Sequence, residues 1–487
     1  MSRARRLAAR LVALTAAATL LASCTWAGNQ PGHPERKAFT VGVTEPFNRL
    51  DPAANGVGMS DAMVLASFQR LLALDPGDGL LKPDAANCVY RTPVSYRCTL
   101  VEGLEFIDGT PVDPAAVKFS IERAIALDDT GEARTLFAAL AGIETGPDTV
   151  VFRLSRPDNQ FGYALAAPVA SLVSPAAYRP DRVRPASQLA VGSGPYRMEI
   201  ITEHRVGFTA YPDYVGFAPS GQERLSIQRY EASEFLRNAM TNAEVDVVWG
   251  GLDEQQEGAL GVQVEANPLG TTRDGFRRLV EPAGRSWTLA WSPRSALRAD
   301  AELRGRVADA VTPLRTDFSL LPPDAPGYRA VFGDATEPRT GPPVRVSLGF
   351  DNDVADEALR AERVSAALRG AGFDVLVQPD ERRADLWLGS PEPATDSPIA
   401  QLLPWLAAPL PESADEARAL AARLGAAATL ADRRAVLADL QVLSARDATV
   451  LPLWREDRDT WMGPGISTTG RAYLGPGGQL AVWGFRW

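Results

Sequence analysis

The sequence predicts an α/β fold with at least partly parallel sheets. Its second half alternates strand patterns with amphipathic helix patterns, an order typical of parallel strands joined by helices. The predicted strands are 344–350, 373–378 and 386–388, and the predicted helices are 354–370, 414–424 and 431–446. With 487 residues, 45% hydrophobic and 23% charged, the chain is long enough for two or three domains, each with its own core.

The first 23 residues are a predicted signal peptide. Four arginines before position 11 are followed by an apolar run, Leu11 to Leu21, that is too short to span a bilayer. Leu21-Ala22-Ser23-Cys24 resembles a bacterial lipobox, in which the cysteine is lipidated and becomes the new N-terminus. Residues 24–38 would then be a lipidated tether that holds the protein at the outer face of the cytoplasmic membrane. The alternative is an ordinary signal peptide that contains a cysteine, and both Sec and twin-arginine export remain open.

The charge of the chain argues against nucleic acid as a partner. The formal net charge is −10, and removal of the leader arginines makes the mature chain more acidic still. Binding to nucleic acid requires a basic face, which this composition does not favour.

Cys88 and Cys98 are the only cysteines besides Cys24. Two short β-prone runs flank a turn at Thr92-Pro93, so the segment is a predicted hairpin with the two cysteines opposite each other. Outside the cytoplasm such a pair is expected to form a structural disulfide, not a metal or redox site.

The first half of the chain also predicts individual elements. A strand is predicted at 39–43, a helix at 61–72 and another strand at 149–154. Asp108-Gly109 marks a tight turn. Asp113 before Pro114 is a typical N-cap with proline at the first helical position, followed by an amphipathic helix to Leu127.

Several motifs resemble those of the bacterial extracellular solute-binding proteins, family 5, which include the oligopeptide-, dipeptide- and nickel-binding subunits of ABC importers. The stretch GLEFIDGTPVDPAAVKFSIERA at 103–124 is the most specific match. The other matches are the opening strand and Leu50-Asp51-Pro52 loop, Gly192-Ser193-Gly194-Pro195-Tyr196, Tyr211 to Gly216, and Ala243 to Val247. Motifs of residues 289–455 match less well, and this part is shorter than is usual in the family.

The resemblance implies a two-lobe clamp of the type II periplasmic-binding-protein kind, with an extra subdomain in the first lobe. We expect residues 39–288 and 456–487 to form lobe I, with 58–185 as the extra subdomain, and residues 289–455 to form lobe II. Closure of the lobes would bury the ligand between them.

The resemblance also nominates ligand-binding residues. In peptide-binding members an aspartate of the second lobe pairs with the ligand's α-amino group, and Asp396, before Ser397-Pro398, is the corresponding candidate. Its alternative role is that of a capping or turn residue. The glycine motifs are expected to shape turns and not to bind ligand.

Aromatic residues and the loop after the first strand complete the set of candidates. Trp387, Trp405 and Trp249 would provide flat apolar walls for varied side chains, with core packing as the alternative for each. Glu45 and Phe47 follow the first strand, in a loop that often faces the cleft in this family.

No enzymatic site is predicted. The two histidines, His33 and His204, have no second ligand-type residue at metal-binding spacing, and no nucleophile elbow or Walker loop is present. We therefore predict a binding protein without a cofactor or metal, expected to be a monomer.

The expected function is capture of peptides, or a similar small solute, outside the membrane and delivery to an ABC permease with separate ATPase subunits. The alternative is an interaction or sensory lipoprotein that keeps the fold without transport.

Overall fold

A computed structural model describes residues 38–47, 49–54, 58–323, 325–333, 339, 341–352, 354–393, 395 and 397–487. The predicted signal peptide, the lipidation site Cys24 and nearly all of the tether lie outside these residues. Phe39–Trp487 forms a single compact unit.

Eighteen strands are assigned within the described residues. In chain order they are β1 Phe39–Val43, β2 Leu72–Leu74, β3 Leu81–Pro83, β4 Ala86–Thr92, β5 Ser95–Leu100, β6 Leu140–Thr145, β7 Thr149–Leu154, β8 Tyr196–Ile201, β9 Arg205–Ala210, β10 Arg224–Arg229, β11 Val247–Trp249, β12 Arg277–Trp291, β13 Val344–Phe350, β14 Phe373–Pro379, β15 Leu386–Gly389, β16 Val450–Met462, β17 Ser467–Thr468 and β18 Phe485–Arg486.

The α-helices assigned within the same residues are α1 Met59–Ser67, α2 Pro114–Leu127, α3 Glu132–Leu136, α4 Phe161–Ala164, α5 Ser233–Thr241, α6 Glu254–Ala266, α7 Ala301–Ala310, α8 Glu357–Gly370, α9 Pro398–Gln401, α10 Leu403–Leu406, α11 Ala414–Ala426 and α12 Leu430–Asp447. Short 3₁₀ turns lie at Pro52–Ala54, Pro168–Ala170, Ala296–Ala299, Thr312–Leu314 and Val482–Gly484.

Ten strands form one mixed sheet in the order β14-β13-β15-β12-β16-β11-β1-β10-β9-β8. β1 pairs in parallel with β10 and β11, and β13 pairs in parallel with β14 and β15. The predicted α/β class with partly parallel strands is thus confirmed.

The long antiparallel strands β12 and β16 join the two ends of this sheet. Bulges interrupt their pairing between Glu281 and Arg285 and again between Trp287 and Thr288. On one side of this pair β12 is hydrogen-bonded to β15, and on the other side β16 is hydrogen-bonded to β11. The boundaries predicted for the two lobes, 288/289 and 455/456, fall inside these two strands. Because bulges bend a strand, the β12–β16 pair can change direction at these points.

A second sheet, in the order β4-β5-β7-β6, lies within residues 86–154. Cys88 and Cys98 face each other in the β4–β5 hairpin and form a disulfide, as the sequence predicts. The sheet packs against α2, whose N-cap Asp113 accepts a hydrogen bond from the Ala116 backbone at 2.8 Å.

Three large hydrophobic clusters stabilise the structure. One surrounds the four-stranded sheet, one lies among residues 287–453, and one lies beneath β1, β8, β9 and β10. Ala400 and Leu403, from α9 and α10, pack into the first of these clusters although they are distant in sequence. Ala400 and Leu403 therefore contact the region of the second sheet directly.

Most predicted elements lie where the sequence places them, with one clear error. The helix predicted at 61–72 spans Met59–Ser67, and Leu72–Leu74 forms strand β2 instead. The apolar run continues past Ser67, and a fully buried helix and a fully buried strand share that pattern. Phe68 adopts an extended backbone (φ −125°, ψ 142°), which ends the helix.

The best-matching motifs have structural roles. Asp51 of the Leu-Asp-Pro loop forms a buried, two-point ion pair with Arg123 at the end of the 103–124 motif, with distances of 2.6 and 2.8 Å. A Cβ at Gly194 would lie 2.5 Å from the backbone nitrogen of Phe68, so the chains approach too closely there for a side chain. Within the described part of the chain, no helix has the length and apolar character needed to cross a membrane.

Candidate functional site

A cavity of about 180 Å³ lies where α1, α3, the bulged strands and the segment after β15 meet. Its lining residues form three groups. The first is Asp61 of α1 with Thr130 and Glu132 at the start of α3, and the second lies in and around the long strands: Ser286, Thr288, Leu320 and Val450. The third follows β15: Pro391, Glu392, Pro393, Ala400, Gln401, Leu403, Pro404 and Ala407. We call it the acidic cavity, because every charged residue in this lining is a carboxylate.

Asp61 enters the acidic cavity from α1. Every residue of this nine-residue helix is buried, so it holds a rigid position between the sheet and the cavity. The Asp61 residue is 9% exposed, and among the described residues no cation or hydrogen-bond donor lowers the pKa of its carboxyl. Burial raises the pKa of Asp61 well above its usual range, and the nearby Glu132 and Glu392 raise it further.

Glu132 lies at the first position of α3. Burial raises the pKa of its carboxyl to about 7, with a smaller contribution from the negative charge of Asp128. The pKa of this carboxyl therefore lies near neutral pH. A group in this state responds to any charge that enters the cavity.

Glu392 connects the acidic cavity to the C-terminal part of the chain. Its Oε1 lies 2.8 Å from Nη1 of Arg458, while its Oε2 is buried without a hydrogen-bond partner. The guanidinium of Arg458 also donates to the carbonyl oxygens of Gly478 (2.6 Å) and Gly284 (2.8 Å). Since Arg458 has several acceptors already, its charge is shared and does not neutralise the cavity as a whole.

Further hydrogen bonds hold the segment after β15 in place. Gln479 donates to the carbonyl oxygen of Pro393 at 3.1 Å, and the Ser397 hydroxyl donates to Gln160 at 2.7 Å. This segment therefore contacts both the C-terminal tail and the α4 region.

A second, larger cavity of about 310 Å³ adjoins the acidic cavity. Leu403 and Ala407 line both, so a thin wall separates them. Apolar side chains form much of its lining: Leu136, Ala164, Leu406, Ala421 and Leu424. Arg134, Arg156, Arg418 and Asp158 also line it, so most of its charged residues are basic, unlike those of its neighbour.

The three predicted tryptophans occupy different environments, and none lines either cavity. Trp405 is fully buried in the core among residues 287–453, and its Nε1 donates to Asp447 at 3.0 Å. Trp249 is buried, with the Arg458 guanidinium 5.1 Å from its ring centre. Trp387 is half-buried on β15 and is covered by Arg382 at 4.1 Å.

Of the remaining predicted residues, Glu45 and Phe47 line neither cavity. The Glu45 carboxylate accepts a hydrogen bond from the Met59 backbone at 2.9 Å, and burial, together with Glu392, raises its pKa. Phe47 packs on the core beneath β1. Asp396 lies outside the described residues.

Sequence reasoning missed Asp61, Glu132 and Glu392. One signal was available for Asp61, since it is a lone carboxylate in the otherwise apolar or small-residue run MSDAMVLAS. For Glu132 and Glu392 no local pattern distinguishes them from exposed loop residues. Within the described residues, no group of three or more His, Cys, Asp or Glu side chains is arranged to hold a metal ion.

Comparison with known proteins identifies the class of fold. The dipeptide binding protein from pseudoalteromonas sp. SM9913, solved with Met-Leu, has a TM-score of 0.72 and 17% identity, covering 92% of this chain and 100% of that one. The Escherichia coli murein tripeptide binding protein MppA has a TM-score of 0.74 and 14% identity, covering 89% and 95%. The fold is that of the type II periplasmic binding proteins.

The sequence comparisons match part of the chain to a known family. Residues 93–291 match the profile of the bacterial extracellular solute-binding proteins, family 5 Middle. The glutathione-binding protein GsiB of Escherichia coli (strain K12) is 30% identical over 217 residues, which is 44% of this chain and 40% of that protein. The chain thus aligns with about two fifths of the length of the curated relatives it matches. The resemblance to family 5 indicated by the motifs is confirmed by these matches.

Proposed function

We propose that this protein is the extracytoplasmic solute-binding subunit of an ABC importer, binding a peptide or a similar small solute between two lobes. One observation carries the proposal: a cavity lies where two bulged strands link the two ends of one continuous sheet. Bulged connecting strands allow two bodies to open and close, and the residues that line the cavity come from both sides.

The proposal assigns residues 39–288 and 456–487 to lobe I, with 58–185 as its extra subdomain, and residues 289–455 to lobe II. The contacts from Arg458 to Glu392 and from Gln160 to Ser397 would then join the lobes when they are closed. Ligands of related proteins, such as the Met-Leu bound in the dipeptide binding protein, support a peptide as the leading solute class. The protein would do no chemistry itself and would pass its solute to a permease with separate ATPases.

Export and anchoring are part of the same proposal. Cleavage before Cys24 and lipidation of that residue would hold the protein at the outer face of the cytoplasmic membrane, within reach of the permease. Metabolic labelling with a radioactive fatty acid tests this: we expect label on the wild-type protein and none on Cys24→Ser.

Native mass spectrometry tests the binding function. The full-length chain is expressed in an exporting bacterial host, purified in detergent without unfolding, and then denatured to release any bound solute. A family of short peptides is the expected result. A single non-peptide solute would keep the binding role and replace the solute. An empty protein that also shows no thermal shift with peptide pools would contradict the proposal and favour an interaction or sensory lipoprotein.

A further inference from the structure

We propose that a loop of the extra subdomain, residues 157–160, is a latch that holds the two lobes in the closed arrangement, with Asn159 as its positioning residue. This inference rests on the proposed two-lobe function and adds a residue that controls the release of the solute. Asn159 lines neither cavity, so its effect on binding must act through closure and not through contact with the solute.

The latch contacts the C-terminal end of helix α11. The backbone nitrogen of Asn159 donates to the carbonyl oxygen of Gly425 at 2.8 Å, and its Nδ2 donates to the carbonyl oxygen of Ala427 at 2.7 Å. The last four carbonyl groups of an α-helix have no partner within the helix, and Gly425 belongs to the last turn of α11. Asn159 and Ala427 are 268 positions apart. The fold therefore brings two donors from one proposed lobe to a helix end of the other.

Gln160 fixes the orientation of the Asn159 side chain. Its Nε2 donates to Oδ1 of Asn159 at 2.7 Å, and its Oε1 accepts a hydrogen bond from the Ser397 hydroxyl at 2.7 Å. The reverse orientation of the Asn159 amide would place its oxygen against the carbonyl oxygen of Ala427, where no donor is present. One chain of hydrogen bonds thus runs from Ser397 through the latch to Ala427, and both of its ends lie in proposed lobe II.

The residue at position 425 supports the same assignment. A Cβ there would lie 3.1 Å from Oδ1 of Asp158 and 3.1 Å from the carbonyl oxygen of Pro157, so the latch lies directly against the helix backbone. Gly425 does not adopt a positive φ, and no turn requires a glycine at this position. Since glycine is a poorer helix former than alanine, the close contact with the latch, and not the helix, accounts for it.

The extra subdomain holds the latch from behind. The Tyr90 hydroxyl donates to the carbonyl oxygen of Asp158. Tyr90 lies opposite Tyr96 in the β4–β5 hairpin, with ring centres 4.4 Å apart, and the Cys88–Cys98 disulfide links the same two strands. A loop supported by a cross-linked hairpin has little freedom to lose when it meets α11, so ordering costs little on closure.

Apolar contacts accompany these hydrogen bonds. Ala400 and Leu403 of proposed lobe II pack into the core cluster around the four-stranded sheet. Neither this contact nor the latch involves the connecting strands β12 and β16, so both are separate from the pivot and are lost when the lobes move apart. Because the solute is enclosed while the latch is formed, we expect the latch to slow release of the solute more than its entry.

Two variants loosen the latch from opposite sides. Asn159→Ala removes the donor to Ala427, and Gly425→Ala adds a methyl group that displaces the loop from α11. Each is expected to weaken peptide affinity about three- to tenfold, mainly through faster dissociation. Gly425→Ala also favours the helix, so the melting temperature of this variant without peptide should not fall. That result separates loss of the latch from loss of folding.

The matched control is a similar hydrogen bond inside one lobe. Nδ2 of Asn267 donates to the carbonyl oxygen of Thr271 at 2.8 Å, and both residues belong to proposed lobe I. Asn267→Ala should therefore leave peptide affinity and dissociation unchanged, even if it lowers the melting temperature.

Two measurements on the full-length protein in detergent test the latch. Stopped-flow tryptophan fluorescence gives association and dissociation rates for the tightest binder among defined dipeptides and tripeptides that include Met-Leu. Hydrogen-exchange mass spectrometry of the peptide-free protein follows the backbone amide of residue 159, which donates to Gly425. We expect this amide to exchange at least about threefold faster in both latch variants than in the wild type and the control.

The outcomes distinguish this inference from the proposed function. Unchanged dissociation and unchanged exchange in both latch variants would overturn the latch and leave the binding function standing. If no peptide binds the wild type, but exchange at residue 159 rises in the latch variants alone, the latch stands and the binding of peptides is contradicted. Absence of both effects would contradict both.

Discussion

Replacement of Asp51 by asparagine should destabilise the protein strongly, although Asp51 lines neither cavity. Its carboxylate accepts hydrogen bonds from both Nη atoms of Arg123 at 2.6 and 2.8 Å, and from the backbone nitrogens of Ala53 at 3.0 Å and Arg184 at 2.7 Å. The side chains of the pair are only 0% and 2% exposed. Asp51→Asn keeps the shape of the residue but leaves the Arg123 charge buried without a counter-ion.

The magnitude follows from burial. Removal of one partner from a buried ion pair costs about 3–5 kcal/mol, because the remaining charge has lost both water and counter-ion. An unfolding entropy of about 2.1 cal/mol/K per residue over 487 residues is about 1 kcal/mol/K, so the melting temperature should fall by about 3–5 °C. Equilibrium unfolding in urea, followed by circular dichroism, gives the free-energy change directly.

The matched control is a pair with the same geometry at the surface. Arg153 donates to Glu144 at 2.8 and 2.9 Å, but these side chains are 51% and 59% exposed. Solvent screens such a pair, so Glu144→Gln should leave the urea midpoint unchanged. If Asp51→Asn destabilises no more than Glu144→Gln, the buried pair has no special role and the reasoning is refuted.

Three further predictions concern other sites. Burial and a neighbouring carboxylate raise the pKa of Glu357 to about 8 from its ordinary 4.5, so its contribution to stability is present below pH 4.5 and is lost as the pH rises through 8. Glu357→Gln should therefore stabilise the protein at pH 9 and change little at pH 5. Urea unfolding at the two pH values checks this. Cys88 and Cys98 should show no free thiol when the protein is denatured without reductant, and replacement of both by serine should cost about 2–3 kcal/mol in urea unfolding. Gly194→Ala should lower stability by about 1–3 kcal/mol, because the new methyl group would lie 2.5 Å from the Phe68 backbone nitrogen; a melting temperature equal to that of the wild type would show that the loop yields without cost.

Local patterns predicted most elements well. β1, β7 and β13 have the bounds predicted for them, and α2 begins at the predicted proline after its aspartate cap. These elements have clear period-two or period-3.6 patterns and strong terminal signals. The helix α1 was predicted too long because its apolar run continues into a strand, and only packing decides between two buried elements with the same pattern.

The candidate site was much less predictable. Trp405 was a candidate binding residue because it is aromatic, but it donates to Asp447 inside a core. Asp61 and Glu392 come together from positions more than three hundred residues apart in the chain. No pattern within a short window contains that relation, since the fold alone sets which loops meet.

The sequence by itself determined the α/β class, the disulfide hairpin, the predicted export signal and the resemblance to a family of binding proteins. These depend on residues close to one another in the chain, or on motifs in a recognisable order. Only the tertiary structure decided which side chains line the cavities and which carboxylates have partners. Asp51 and Asp61 show the reason: both are buried aspartates near the start of the domain, yet only Asp51 has an arginine beside it. Whether a buried charge is compensated depends on residues brought to it by folding from elsewhere in the chain.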